Sequence, residues 1–131
     1  MKIEGRVVRG RQLGRTLGFP TANLQPERIE GTGPDGVYAA WFFVNGLRLP
    51  CMLNIGSHPT LPGGGRSVEA HILGYAGDLY GCRASVETVA FLRGEEKFSS
   101  PEALRMQLTR DAKRSQELLD GATDGKPWRD T

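Results

Sequence analysis

The stretch Gly10-Arg11-Gln12-Leu13-Gly14-Arg15-Thr16-Leu17-Gly18-Phe19-Pro20-Thr21-Ala22-Asn23 carries the residue types that an anion site needs. Its three glycines recur every four residues, with arginines between them. Glycine lets backbone amides come close to an anion and tolerates unusual φ values, and arginine neutralises phosphate and binds it bidentately. Pro20 fixes the direction in which the chain leaves. Thr21 and Asn23 then offer two neutral oxygens on one face of an extended segment. Oxygen ligands beside a phosphate are what Mg²⁺ takes. The string is not a P-loop: it has no Gly-x-x-x-x-Gly-Lys-Ser/Thr run, and no helix is expected to follow. By composition alone, a glycine-rich hairpin connection is the better account of it.

A second candidate lies on Ser67 to Leu73. Ser67, Glu69, His71 and Leu73 alternate with Val68, Ala70 and Ile72, so Glu69 and His71 share the face opposite an apolar one that reads as core. A carboxylate on a rigid strand suits proton acceptance by a general base. Taken alone, Glu69 reads as a solvated glutamate on a half-exposed strand, and His71 as a packing or hydrogen-bonding histidine.

The elements that must position these residues are short and mostly strand-like. Val7-Val8 opens the chain after a polar lead, and Val37 to Val44 is rich in β-branched and aromatic residues, with Trp41, Phe42 and Phe43 reading as core. Asn45-Gly46 marks a hairpin that returns along Leu47 to Ile55. Pro50 lacks an amide proton, which predicts an edge or a bulge there. Strands over Ser67–Leu73 and Cys82–Leu92 follow glycine turns. Strands joined by hairpins with no intervening helix predict an antiparallel sheet closed into a small barrel.

One helix follows, with Leu104, Leu108, Ala112, Ser115 and Leu119 as its buried stripe. It starts either with a capping box of Ser99 and Glu102 or with Ser100 as cap and Pro101 in the first turn, and Gly121 is its expected stop. The domain is thus expected over residues 1–120, with 121–131 a flexible tail.

At 131 residues, 38% hydrophobic, the chain has room for one core. A net charge of +2 gives no argument for nucleic acid, and the aromatics sit in apolar runs instead of interleaving with basic residues. Cys51 and Cys82 form no CxxC unit and, with His58 and His71, no zinc pattern, so reduced thiols are expected. No apolar run is long enough for a bilayer span and no export signal opens the chain. The cytoplasm and a monomer, with no membrane or nucleic-acid partner, are the expectations.

Leu17-Gly18-Phe19-Pro20-Thr21-Ala22-Asn23 closely resembles the hallmark Pro-Thr-Ala-Asn segment of riboflavin kinases, including the C-terminal module of bacterial bifunctional riboflavin kinase/FMN adenylyltransferases. The resemblance continues in order through Gly36-Val37-Tyr38, Asn54-Ile55-Gly56-Ser57-His58-Pro59-Thr60, Val68 to Leu73, Asp78-Leu79-Tyr80-Gly81, and Phe91-Leu92-Arg93 with Lys97-Phe98. It implies a six-stranded antiparallel Greek-key barrel with the C-terminal helix packed on it. It also implies transfer of the ATP γ-phosphoryl group to riboflavin, giving FMN. By position in the motifs, Thr21 and Asn23 would be ligands of Mg²⁺ (or of Zn²⁺ or Mn²⁺) and of the ATP phosphates. Gly10 and Arg15 would lie in a flap over the nucleotide, Glu69 would be the catalytic base, and Arg93 and Phe98 would lie near the flavin.

Two departures qualify what the resemblance implies. The chain enters the barrel directly after Met1-Lys2-Ile3-Glu4, without the nucleotidyltransferase module of the bacterial enzymes, so FMN and not FAD is the expected product. Leu13 stands where many relatives have arginine or glycine, which makes the flap less basic. The competing reading is a non-catalytic flavin- or nucleotide-binding module, whose expected mark, loss of Thr21, Asn23 or Glu69, is absent here.

Overall fold

The computed structural model describes residues 1–9, 21–57, 66–75 and 77–122. Six strands and one helix follow in order: β1 Lys2–Val8, β2 Thr21–Glu30, β3 Gly36–Val44, β4 Leu47–Ser57, β5 Arg66–Ile72, β6 Arg83–Arg93 and α1 Pro101–Ala122. The strands close into an antiparallel barrel in the order β1-β2-β5-β4-β3-β6. Strands β3, β4 and β5 are sequential neighbours, and β6 returns beside β3, which is a Greek key. This is the architecture the sequence implies.

Local chemistry accounts for most of the register. Asn45 and Gly46 both take positive φ, 51° and 76°, as a type I′ turn requires, and Val44 pairs with Leu47 across it. Pro50 makes no bulge, and it stands where β4 lacks a β5 partner, an edge position of the kind its missing amide predicts. Its pairing with β3 runs unbroken through Trp41, whereas β4 meets β5 only from Cys51 onward. The missing amide therefore costs no ladder bond, and the Pro50 carbonyl accepts the Leu73 amide at 2.9 Å.

Strand β2 is longer than its pattern suggests, because only its first half alternates. Ala22 and Leu24 are buried, while Glu27 to Glu30 are exposed. The β1–β2 register steps from Glu4↔Arg28 to Gly5↔Pro26, so Glu27 is the extra residue of a bulge. Gly5 permits it, since a Cβ there would collide with the Gln25 carbonyl oxygen.

The barrel interior is filled by small and branched side chains, among them Ile3, Val7, Ala22, Leu24, Ala40, Phe42, Leu53, Ile55, Val68, Ala70 and Val86. Phe42 is in this core, but Trp41 and Phe43 are not: they alternate outward and are half-buried, with the Arg48 guanidinium 4.3 Å from the Trp41 ring centroid. Both cysteines are free, and burial pushes the Cys51 thiol pKa far up, so it stays protonated.

A second apolar cluster lies outside the barrel. Val37 and Met52 project outward and are buried under Leu108 of α1, with Leu73, Leu92, Leu104 and Ala112 around them. The expected helical stripe is present, with one addition, the buried Asp111. The helix start is settled by Ser100, whose Oγ accepts the Ala103 amide at 3.1 Å while Pro101 occupies the first helical position. The helix runs one residue past Gly121, and residues 123–131 lie outside those described. Replacing Ser100 with alanine is expected to lower the unfolding free energy by about 1 kcal/mol, read as a shift in the urea midpoint at unchanged slope; no shift would mean that the cap contributes nothing.

Candidate active site

The chemistry-bearing residues sit on the outer face of three adjacent strands. Residues directly opposite one another in antiparallel strands project to the same side. Asn23 of β2 faces Glu69 of β5, and Glu69 faces Asn54 of β4 on its other flank. One step along, Thr21 faces His71, and His71 faces Met52. Their neighbours Ala22, Val68, Ala70, Leu53 and Ile55 point inward and are buried in the barrel core. Period-two alternation on three strands thus assembles an outward polar patch over an apolar floor.

Within the patch the side chains are joined. Glu69 Oε1 lies 3.3 Å from His71 Nε2, and His71 Nδ1 lies 3.4 Å from Thr21 Oγ1. The imidazole is 7% exposed and the Glu69 side chain 24%. The carboxylate is therefore reachable from solvent, whereas the histidine behind it is not. Asn54 Oδ1 is buried and has no hydrogen-bond partner among the described residues. A buried acceptor left unpaired costs about 1–3 kcal/mol, a cost that a bound donor would remove.

A further carboxylate borders the patch. A Cβ on Gly56, two residues along the same outward face as Asn54, would collide with Glu95 Oε1 and approach Ser67 Oγ at 3.5 Å. Glycine at this position lets the Glu95 carboxylate lie against β4. The donor set is therefore Thr21 and Asn23 oxygens with the Glu69 carboxylate opposite Asn23, a hard-oxygen set of the kind Mg²⁺ accepts. Among the described residues no group of three or more His, Cys, Asp or Glu could hold a metal by itself. A cation here would complete its shell with substrate phosphate and water oxygens, the usual arrangement for Mg²⁺ beside a nucleotide.

Arg93 and Phe98, expected near a flavin, lie close to each other at the edge of the helix seat. Arg93 is the β6 partner of Val37, and its guanidinium carbon is 5.6 Å from the Phe98 ring centroid. The guanidinium is heavily engaged: Nε and NH2 reach Asp111 of α1 at 3.0 and 2.8 Å, and NH1 donates to the Gly94 carbonyl at 3.2 Å. Gln107 donates to the other Asp111 oxygen at 2.9 Å. Arg93 thus ties β6 to α1, a role the sequence did not signal because Asp111 lies 18 residues away. A cleft of about 430 Å³ opens beside it, with Phe91, Leu92, Arg93, Gln107 and Leu118 in its wall. Gly10 and Arg15, expected over a nucleotide, fall outside the described residues.

Two contributors were not assigned a role from sequence. His71 was placed on the face of Glu69, but its contact with Thr21 depends on the β2–β5 register. Asn54 was only part of a motif, and its place beside Glu69 needs the β4–β5 register. A tabulation of strand faces would have put Asn54 outward, opposite Val37, from the Asn45-Gly46 hairpin alone.

Comparison with known proteins agrees with the fold. The profile of the Flavokinase family, described as riboflavin kinase, matches residues 1–119. The bifunctional riboflavin kinase/FMN adenylyltransferase of Escherichia coli K12 is 42% identical over 118 residues, covering 89% of this chain and 37% of the relative. The chain therefore spans little more than a third of the length of that curated relative. A riboflavin kinase from Trypanosoma brucei superposes with a TM-score of 0.64 at 24% identity, covering 91% of this chain and 79% of the other, a likeness of fold. A protein of Streptococcus pneumoniae described as a macrolide-efflux protein superposes with a TM-score of 0.81 at 30% identity, over 88% of this chain and 38% of that one. Among the described residues of the present chain, no helix is long and apolar enough to cross a membrane.

The Arg93–Asp111 pair carries a testable cost. Its side chains are 16% and 6% exposed, so removing one partner strands a buried charge. Asp111→Ala is expected to destabilise the fold by about 3–5 kcal/mol, and the double replacement Arg93→Met, Asp111→Leu by much less. Urea unfolding of both variants decides this, and equal losses would show that packing, not the unpaired charge, dominates.

Proposed function

Because the chain belongs to the riboflavin kinase family, we propose that it transfers the γ-phosphoryl group of ATP to the terminal ribityl hydroxyl of riboflavin, releasing FMN and ADP. The observation that carries this reading is the shared outward face of Glu69, Asn23 and Thr21. A proton acceptor and a set of phosphate-side oxygen ligands stand on adjacent strands, where donor and acceptor could meet in line.

In this mechanism Glu69 accepts the proton of the attacking hydroxyl through the carboxylate edge that His71 leaves exposed. The hydroxyl oxygen forms its bond to the γ-phosphorus as the bond to the β-bridging oxygen breaks, and ADP departs with that electron pair. Asn23, opposite Glu69, and Thr21 would hold Mg²⁺, which supplies charge neutralisation at the β- and γ-phosphates when bound. Gly10 and Arg15 would close over the nucleotide. Phe98, and the stem of Arg93, would contact the flavin ring at the edge of the helix seat. The apolar floor under Glu69 makes its strand rigid, which is what a base needs to stay within reach of the proton it takes.

The test is product formation by the purified chain. Riboflavin, ATP and Mg²⁺ are expected to give FMN and ADP in equal amounts, and Glu69→Gln to lower the rate by about 10²–10⁴-fold with folding intact by circular dichroism. Riboflavin or ATP binding without any FMN would replace this reading with a non-catalytic binding module. An active Glu69→Gln variant would keep the reaction and remove Glu69 as its base.

A further inference from the structure

We infer that His71 is a positioning residue that orients both the proposed base and the proposed cation ligand, through one hydrogen-bond chain of fixed direction; the assignment rests on the phosphoryl-transfer reading above. The chain is Thr21 Oγ1, His71 Nδ1, His71 Nε2 and Glu69 Oε1, with contacts of 3.4 and 3.3 Å. An ionised carboxylate can only accept, so Nε2 carries the proton it donates to Glu69. In the neutral ring Nδ1 is then an acceptor, and the Thr21 hydroxyl donates to it. This direction turns the Thr21 lone pairs away from the ring, the orientation a cation ligand needs. It also holds Oε1 of Glu69 and leaves Oε2 as the edge for an incoming hydroxyl.

The surroundings fit a fixed part better than a mobile one. His71 is 5% exposed, so it lies behind the groups that would meet substrate. Its β4 neighbour is Met52, which is fully buried under α1, so the imidazole is wedged between the helix seat and the polar patch. Its backbone is held on both flanks by ladders to β2 and β4. Groups that orient metal ligands and bases from behind in this way typically change affinity or activity by about 10- to 100-fold when removed.

Two near-isosteric replacements separate the two ends of the chain. The amide nitrogen of glutamine falls near Nε2 of the ring, and the amide of asparagine near Nδ1. His71→Gln keeps a donor for Glu69 and loses the acceptor for Thr21. It is expected to raise the Mg²⁺ concentration for half-maximal rate about 10- to 100-fold, with kcat at saturating Mg²⁺ close to wild type. His71→Asn keeps the Thr21 end and loses the Glu69 end, so kcat falls by about 10- to 100-fold while the Mg²⁺ requirement and the KM for ATP stay put. Calorimetric titration of ADP with and without Mg²⁺ reads the first effect without turnover: metal-assisted binding weakens in His71→Gln and not in His71→Asn.

A spectroscopic measurement on the unaltered protein covers the case in which these variants do not fold. The chain has two histidines, so long-range ¹H–¹⁵N spectra, assigned with His58→Asn, report the His71 tautomer directly. The Nε2–H form is expected, and an Nδ1–H form overturns the proposal. Equal losses in both variants, or rates and Mg²⁺ dependence within twofold of wild type, overturn it as well. If wild type makes FMN and no split is seen, only the role of His71 falls. If wild type makes no FMN, the kinase reading falls and takes this assignment with it.

Discussion

Everything chemical in this molecule depends on the registers on the two flanks of β5. Side chains alternate along a strand with period two, so a slip of one residue in either ladder would send Glu69 and His71 into the barrel and Val68 and Ala70 out into solvent. The apolar alternation of β5 forbids that slip, because Val68, Ala70 and Ile72 have no other place to be buried. Hydrophobic burial on the inner face is therefore what fixes the polar geometry on the outer one. Once β5 is set, Asn23 and Thr21 arrive from β2 and Asn54 from β4 without any choice left.

The same logic explains why the helix matters to a site it does not build. Val37 and Met52 face outward next to the polar residues, and α1 covers them. The cover converts part of an outer barrel face into a second interior, and His71 lies on the boundary between that interior and the open patch. Arg93 and Asp111 lock the helix to β6 with a buried, multiply bonded pair. Such a pair adds less to stability than its hydrogen bonds suggest, since both ions are desolvated. What it does fix is the position of α1 along the barrel, and with it the wall beside Asn54.

Much of this was legible in the sequence, and what was not has a physical reason. Alternation exposed the faces of β5, the Asn45-Gly46 turn gave the β3–β4 register, and four-residue spacing gave the buried stripe of α1. Pro50 marked an edge position, because β5 has already ended on that side. Trp41 and Phe43 misled because a continuous apolar run hides its own alternation; only Phe42 of the three turns inward. The second half of β2 was invisible because its residues are exposed and interrupted by a bulge. The pairing of Arg93 with Asp111 and of His71 with Thr21 joins residues distant in sequence, and no local pattern encodes such contacts. The roles given to Gly10 and Arg15 rest on the family resemblance alone.

The size of the barrel also decides where a substrate can go. Six strands enclose a space that side chains fill, and this interior is closed by residues as small as Ala22, Ala40, Ala70 and Ala84 alongside Phe42 and Leu53. A flavin or a nucleotide has no room there. A ligand must lie on the outside, where a barrel alone would offer only a convex wall. Concavity on one side is supplied by α1, which is laid against that wall over Val37 and Met52. Placing the reactive groups outward on β2, β5 and β4 follows from that geometry. Beyond Met52, where α1 covers β4, polar side chains on these outer faces can stand over a dry floor while remaining open to substrate.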